Sequence, residues 1–393
     1  MNALAVECNI LHHVDESVFK KGTHTARLED EETLNSYVFL NEDNTKTVYL
    51  MDERVKYVDA KGDIHEKDLR LISSPAGFST ASNNIALTIP NDPTNGVVLS
   101  DGLYTLTLSP EQGKLCAPPK TDGESVTFAD YFGSGISLRY TPTLSGVKED
   151  IILDTYSGIN SFTFLLYTDG LCLLQNTGHY YLSQPQLTEG RVQLADIVCY
   201  DAIGQTSPGV MTVETVKEGQ CYRLTITADE AFLTDFNTVY PVLIDPIMSF
   251  FSSEDTVYDA PIFQGQPSNN YGSYLYNRIG YAGSEYRICR TVMKLPGLYN
   301  NSTYAALSAD AITSVTLYLT AVDDSLSKTF HVYPLTSNST WTESTVTWNN
   351  VGSWAGSSEI TGYLTGDDLS GIPLTSLVKG WKNGIYTPTA ASF

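Results

Sequence analysis

Apolar and polar residues alternate one by one along most of this chain, and that period predicts strands with one buried and one wet face. Tyr37-Val-Phe-Leu40 and Thr47-Val-Tyr-Leu50 flank Asn41-Glu-Asp-Asn44, while Val55-Lys-Tyr-Val58 and 64–69 flank Asp59-Ala-Lys-Gly-Asp63. Both connections carry turn-forming Asn, Asp or Gly, so each pair predicts a hairpin. Further strands are expected at 85–89, 96–99, 103–108, 130–141, 147–153, 161–167, 170–174, 179–183, 192–200, 210–216 and 221–227. A strand every roughly 8–12 residues, with turn residues between, is the pattern of an all-β fold. Residues 228–236 read as a turn or two of helix.

Tyr240-Pro-Val-Leu-Ile-Asp-Pro246 reads as a domain-closing strand, because its two prolines restrict the backbone. The chain thus divides into an N-terminal arm with hairpins (1–70), a β-sandwich-like domain (71–247) and a jelly-roll-like β-sandwich (248–393). In the last part, strands are expected at 275–281, 286–295, 315–320, 330–335 and 344–348. The 315–320 stretch alternates cleanly and should be half buried, whereas 374–381 fits helix or strand equally well.

Composition narrows the function classes. With 42% hydrophobic residues among 393, the chain is a folded protein. Its 45 acidic residues against 23 basic give a net charge of −22. Neutralising phosphates needs the opposite balance, so the expected partners include no nucleic acid and no anionic membrane surface. No stretch approaches the roughly 20 apolar residues of a membrane span. Residues 1–14 do not read as a signal peptide, since Glu7 interrupts them. The six cysteines, at 8, 116, 172, 199, 221 and 289, form no C-x-x-C pair and read mostly as buried small hydrophobes.

Thr340 to Asn350 is T-W-T-E-S-T-V-T-W-N-N, rich in β-formers and free of Lys, Arg and His. It belongs to an ordered series: S-S-E-D-T at 252–256, N-N-Y-G at 269–272, K-L-P at 294–296, I-T-S-V-T-L-Y-L at 312–319, W-T-E-S-T-V-T-W-N-N at 341–350 and S-L-V-K-G-W at 376–381. Over about 250–386 this series resembles the DNRLRE-type domain of secreted bacterial proteins, akin to disaggregatase-related repeats and to carbohydrate-binding modules. Upstream, Y37-V-F-L-N-E-D-N-T-K-T, V55-K-Y-V-D-A-K-G-D-I, V147-K-E-D-I-I-L and V239-Y-P-V-L-I-D-P look like the region preceding such domains in wall-associated bacterial proteins with Rhs or YD repeats. The resemblance implies a secreted or cell-surface β-rich protein without catalytic residues in these domains. It departs from the family after Trp381-Lys-Asn-Gly384, where the closing strand looks shortened or missing. A partner's strand could then pair with the open edge.

Residues 248–393 hold 11 acidic and 7 basic residues, a net of −4, which leaves −18 for the rest. Arg278, Arg287, Arg290 and Lys294 cluster there among Tyr274, Tyr276, Tyr281 and Tyr286. Planar cations among rings suit a sugar or a uronic acid carboxylate. Arg287 and Arg290 are an odd step apart and would face opposite sides of a strand, so at least one should serve the fold. The expected function is therefore non-catalytic binding of a polysaccharide or cell-wall glycan, with Tyr271, Tyr274, Tyr281, Arg287 and Trp354 as candidate surface. The alternative is a scaffold segment of a larger toxin-delivery protein with no ligand of its own. No cofactor is expected beyond a structural Ca²⁺, for which Asp323, Asp324, Asp367 and Asp368 are the candidates. His12 and His13 are adjacent and would point apart in a strand. No catalytic sequence pattern supports an enzyme.

Overall fold

A computed structural model describes residues 24–393, apart from 52, 177–178, 187–189, 251–257, 273–276, 282, 296–297, 299–301, 321–327, 336–340, 344, 353–359, 365–368, 387–389 and 393. The fold is all-β and its strand pairs are antiparallel. Two compact units emerge, one built on Arg54–Ser253 and the other on His24–Glu53 with Glu254–Phe393. The two N-terminal hairpins both form, Ser36–Asn41 with Lys46–Leu50 and Lys56–Val58 with Ile64–Glu66, but they fall in different units. Asn44, at φ 63°, makes the first turn, and the Asp59 carboxylate accepts from the Lys61 and Asp63 N–H groups in the second.

In the first unit an eight-stranded sheet runs from Val210–Lys217 at one edge to Asp68–Ser74 at the other. Its central strand Ser161–Tyr167 buries every second residue, as the alternation predicts. An eleven-stranded sheet contains Val126–Gly133, Ile136–Pro142, Gly146–Leu153, Val198–Tyr200, Val242–Asp245 and Ile247–Phe250. Both sheets feed one apolar core, with Leu106, Phe162, Phe164 and Leu224 from the first and Phe128, Leu138, Ile151 and Ile244 from the second. Gly146 is required where it stands, since a Cβ there would lie 2.0 Å from the Met248 carbonyl oxygen on the paired strand.

In the second unit, Tyr258–Phe263, Ile288–Lys294, Ala390–Ser392, Lys328–Pro334 and Ile360–Leu364 lie side by side in that order. The closing strand that the sequence seemed to lack is therefore present, paired through Met293 with Ala391 on one side and Pro334 with Ala391 on the other. It sits inside the sheet, so the edge expected to accept a partner's strand is already filled. Thr316–Thr320 pairs with Leu369–Pro373. The ambiguous 374–381 stretch resolves as the helix Thr375–Lys382, because Leu374, Leu377, Val378 and Trp381 fall on one face and are all buried. The strand expected at 344–348 does not form; tight turns take its place among the described residues.

Candidate functional site

Of the sequence-selected residues of the second unit, Tyr271 is buried, whereas Tyr281 and Arg287 are exposed and neighbours. Tyr271 is only 8% exposed, and its ring packs 4.6 Å from Phe263 and 6.4 Å from Tyr286. Tyr281 is 73% exposed and pairs with Ile288, which places it one step from exposed Arg287 across the ladder. Arg287 has φ 59°, and its N–H donates to the Gly283 carbonyl, closing the short helix Gly283–Tyr286. Tyr274, Trp354, Asp323, Asp324, Asp367 and Asp368 lie outside the described residues. Arg290 and Lys294 serve the fold. Arg290 lies 5.2 Å from the Tyr333 ring and 5.9 Å from that of Trp348. Lys294 sits 4.2 Å above the Trp341 ring and donates to the Trp341 carbonyl at 2.5 Å.

The two most recognisable motifs of this unit are parts of one clamp. Asn270, of N-N-Y-G, is 4% exposed and its amide donates to the carbonyls of Glu343 and Val346, both at 2.6 Å. Those carbonyls belong to W-T-E-S-T-V-T-W-N-N, where Val346 N–H closes a turn on Thr342 and Asn350 caps the Thr347 N–H. The Glu343 carboxylate accepts from the Asp259 N–H at 2.9 Å. A Cβ at Gly272 would lie 1.9 Å from the Glu343 carbonyl oxygen, so the approach needs glycine. Replacing Asn270 by Ala strands two buried acceptors and should cost about 2–3 kcal/mol. Thermal unfolding followed by tryptophan fluorescence checks this, and an unchanged midpoint would show that water replaces the amide.

A dense grouping of ionisable side chains lies in the first unit. Lys148 on Gly146–Leu153 is 5% exposed, Asp150 on the same strand 0% and Asp245 on Val242–Asp245 1%. The Lys148 Nζ stands 3.2 Å from an Asp150 oxygen and 3.2 Å from an Asp245 oxygen, and it donates to the Tyr200 hydroxyl at 2.8 Å. Arg139, on the neighbouring Ile136–Pro142, grips the other Asp150 oxygen through Nε at 3.0 Å and Nη2 at 2.9 Å. Burial alone would lower the Lys148 ammonium, but the two carboxylates outweigh it and hold it above its ordinary value. Burial pushes Asp245 up to about 7 against the pull of Lys148. Alternation turns Glu149 to the opposite face, into the apolar core. It lines a cavity of about 20 Å³ with Leu108, Phe164, Leu224, Pro246 and Met248. Burial pushes Glu149 up to about 8, with Tyr140 countering and Asp150 adding to the rise. Its carboxyl oxygens have no hydrogen-bond partner among the described residues.

The sequence displayed this cluster without its being read as one. Three charged residues interrupt the otherwise apolar strand G-V-K-E-D-I-I-L, and Asp245 ends the apolar run V-L-I-D. Charges inside a predicted buried strand are the signal, since such groups are rarely buried unless paired. Among the described residues no group of three or more His, Cys, Asp and Glu could hold a metal ion.

No protein-family model matches the chain. It is similar to the tRNA nuclease WapA of Bacillus subtilis strain 168, at 31% identity over 172 residues, which is 39% of this chain and 7% of that protein. It is similar also to the tRNA3(Ser)-specific nuclease WapA of Bacillus spizizenii, at 26% identity over 281 residues, 67% of this chain and 11% of that protein. The tRNA(Glu)-specific nuclease WapA of Bacillus subtilis subsp. natto matches at 31% over 172 residues, 39% of this chain and 7% of that protein. The chain therefore spans about a tenth or less of the length of these relatives.

These relatives correct three expectations. A glycan as partner, the exclusion of nucleic acid, and the assignment as no enzyme all fail against proteins named for cleaving tRNA. Tyrosines beside arginines suggested a sugar platform, yet Tyr271 and Arg290 are turned into packing. The charge of −22 is a property of this stretch and says nothing of the electrostatics over the far greater length of the relatives.

Proposed function

We propose that this protein acts as a tRNA-cleaving nuclease of the WapA kind, with the residues described here forming its β-structured body. The 281-residue match to a tRNA3(Ser)-specific nuclease carries this reading. The architecture suits such a body: the buried Lys148, Asp150 and Asp245 are tied to one another and to Arg139 across neighbouring strands. We place its action at the cell surface or outside the cell, where a net charge of −22 favours solubility. Among the described residues no helix is long and apolar enough to cross a membrane. We assign 250–386 to the DNRLRE-type domain, a reading supported by the contact between its N-N-Y-G and W-T-E-S-T-V-T-W-N-N motifs.

The test uses the protein as the cell makes it, incubated with total tRNA and resolved on denaturing gels. Discrete fragments with one mapped cut position are expected. Intact tRNA across pH values and divalent cations, in a sample that is folded by circular dichroism, would remove the assignment.

A further inference from the structure

We propose that Lys148 and Asp245 condense into an amide, a side-chain cross-link that ties the Gly146–Leu153 strand covalently to the Val242–Asp245 strand. The two strands are neighbours in register, with Ile151 opposite Ile244, so Asp245 follows one step beyond that pair. The nucleophile and the carboxyl are already in contact, 3.2 Å from Nζ to Oδ2. Held groups of this kind react with effective concentrations far above any free amine, on the order of 10⁵ M or more in well-oriented cases. Both residues are more than nine-tenths buried. Water to reverse the reaction is thus scarce, and the buried charges that an ion pair must carry disappear in the product.

The surroundings divide the labour. Arg139 fastens Asp150 by holding one of its oxygens through two N–H groups, and the other oxygen faces the Lys148 Nζ as a base. No arginine contact of that kind holds Asp245; its Oδ1 has no hydrogen-bond partner among the described residues, and its Oδ2 receives the Tyr200 hydroxyl at 3.4 Å. Burial favours its neutral, attackable form. Lys148 passes a proton to Asp245 across their contact, leaving a neutral amine and a carboxylic acid. The Nζ lone pair then attacks the Asp245 carboxyl carbon, the N–C bond forms, and one C–O bond breaks. Asp150, 3.2 Å from Nζ, takes a proton from the attacking nitrogen and returns it to the departing oxygen. Of the three ammonium protons one stays on the amide nitrogen and two leave with the oxygen as water. No oxidant, reductant or other reactant is consumed.

Intact-mass spectrometry of the purified, denatured protein tests this. The expected mass lies one water below that of the sequence, and proteolysis should yield one branched peptide joining residue 148 to residue 245, located by fragmentation. Lys148→Arg keeps the charge and should show the full mass. Asp150→Asn keeps the shape and should slow the bond by about 100-fold or more, the usual contribution of a positioned acid–base group. Folded wild-type protein at full mass with separate peptides overturns the proposal. Cross-linking of Asp150→Asn at the wild-type rate overturns the role given to Asp150, and a branch at Asp150 overturns the assignment of Asp245.

Discussion

Glu149→Gln is expected to make the first unit more stable at pH 8 and to change it little near pH 5. In the folded protein burial holds the Glu149 carboxyl up to about 8, against an ordinary 4.5. As pH rises past the unfolded value, the unfolded chain releases this proton while the folded one keeps it. Stability is therefore fully present below about pH 4.5 and falls until pH 8, where folded Glu149 also ionises. The loss is on the order of 4 kcal/mol across that window. Glutamine is neutral throughout and of nearly the same shape, so it abolishes this slope. The groups facing Glu149 are Tyr140 from the adjacent strand and Asp150 beside it, and neither becomes less negative as pH rises. Urea unfolding from pH 5 to 9 provides the measurement. Parallel curves for the variant and the parent would mean that water already solvates Glu149 through the cavity.

Lys148→Met is expected to have the opposite effect. Methionine fills the same volume but can neither form the amide nor pair with a carboxylate, so it leaves Asp150 and Asp245 facing each other in a dry site, with Arg139 answering only the first. Removing one partner from a buried ion group costs about 3–5 kcal/mol. Adding Asp245→Leu to Lys148→Met should recover much of it, because the orphaned carboxyl goes with its partner. The comparison by urea unfolding at pH 7 is decisive: a single variant within about 1 kcal/mol of the parent would mean that the network contributes no net stability.

Much of the architecture was legible because the strand period is local. The hairpin around Asn41–Asn44 and the buried-every-second pattern of Ser161–Tyr167 follow from side chains two apart and from turn chemistry. The 344–348 stretch was misjudged because β-propensity counts Thr, Val and Trp as strand formers whatever their surroundings. There the Thr345 and Asn350 side chains bond the backbone locally, and such side chains compete with ladder formation. The site was less legible for a different reason. Exposure decides whether an aromatic is a platform or a filler, and Tyr271 and Tyr281 look alike in sequence though one is 8% and the other 73% exposed. The Lys148 cluster joins positions separated by about a hundred residues, and only the pairing of their strands reveals it.

The strand Ala390–Ser392 lies between Ile288–Lys294 and Lys328–Pro334, segments made far earlier during synthesis. On the ribosome, Tyr258–Phe263 can pair with Ile288–Lys294, and Lys328–Pro334 with Ile360–Leu364, as soon as each has emerged. The two halves must then wait, each with an open ladder, until a three-residue wedge arrives to join them. That interval is when the nascent chain is most exposed to pairing with a neighbour, and its length is set by translation speed between Leu364 and Ala390.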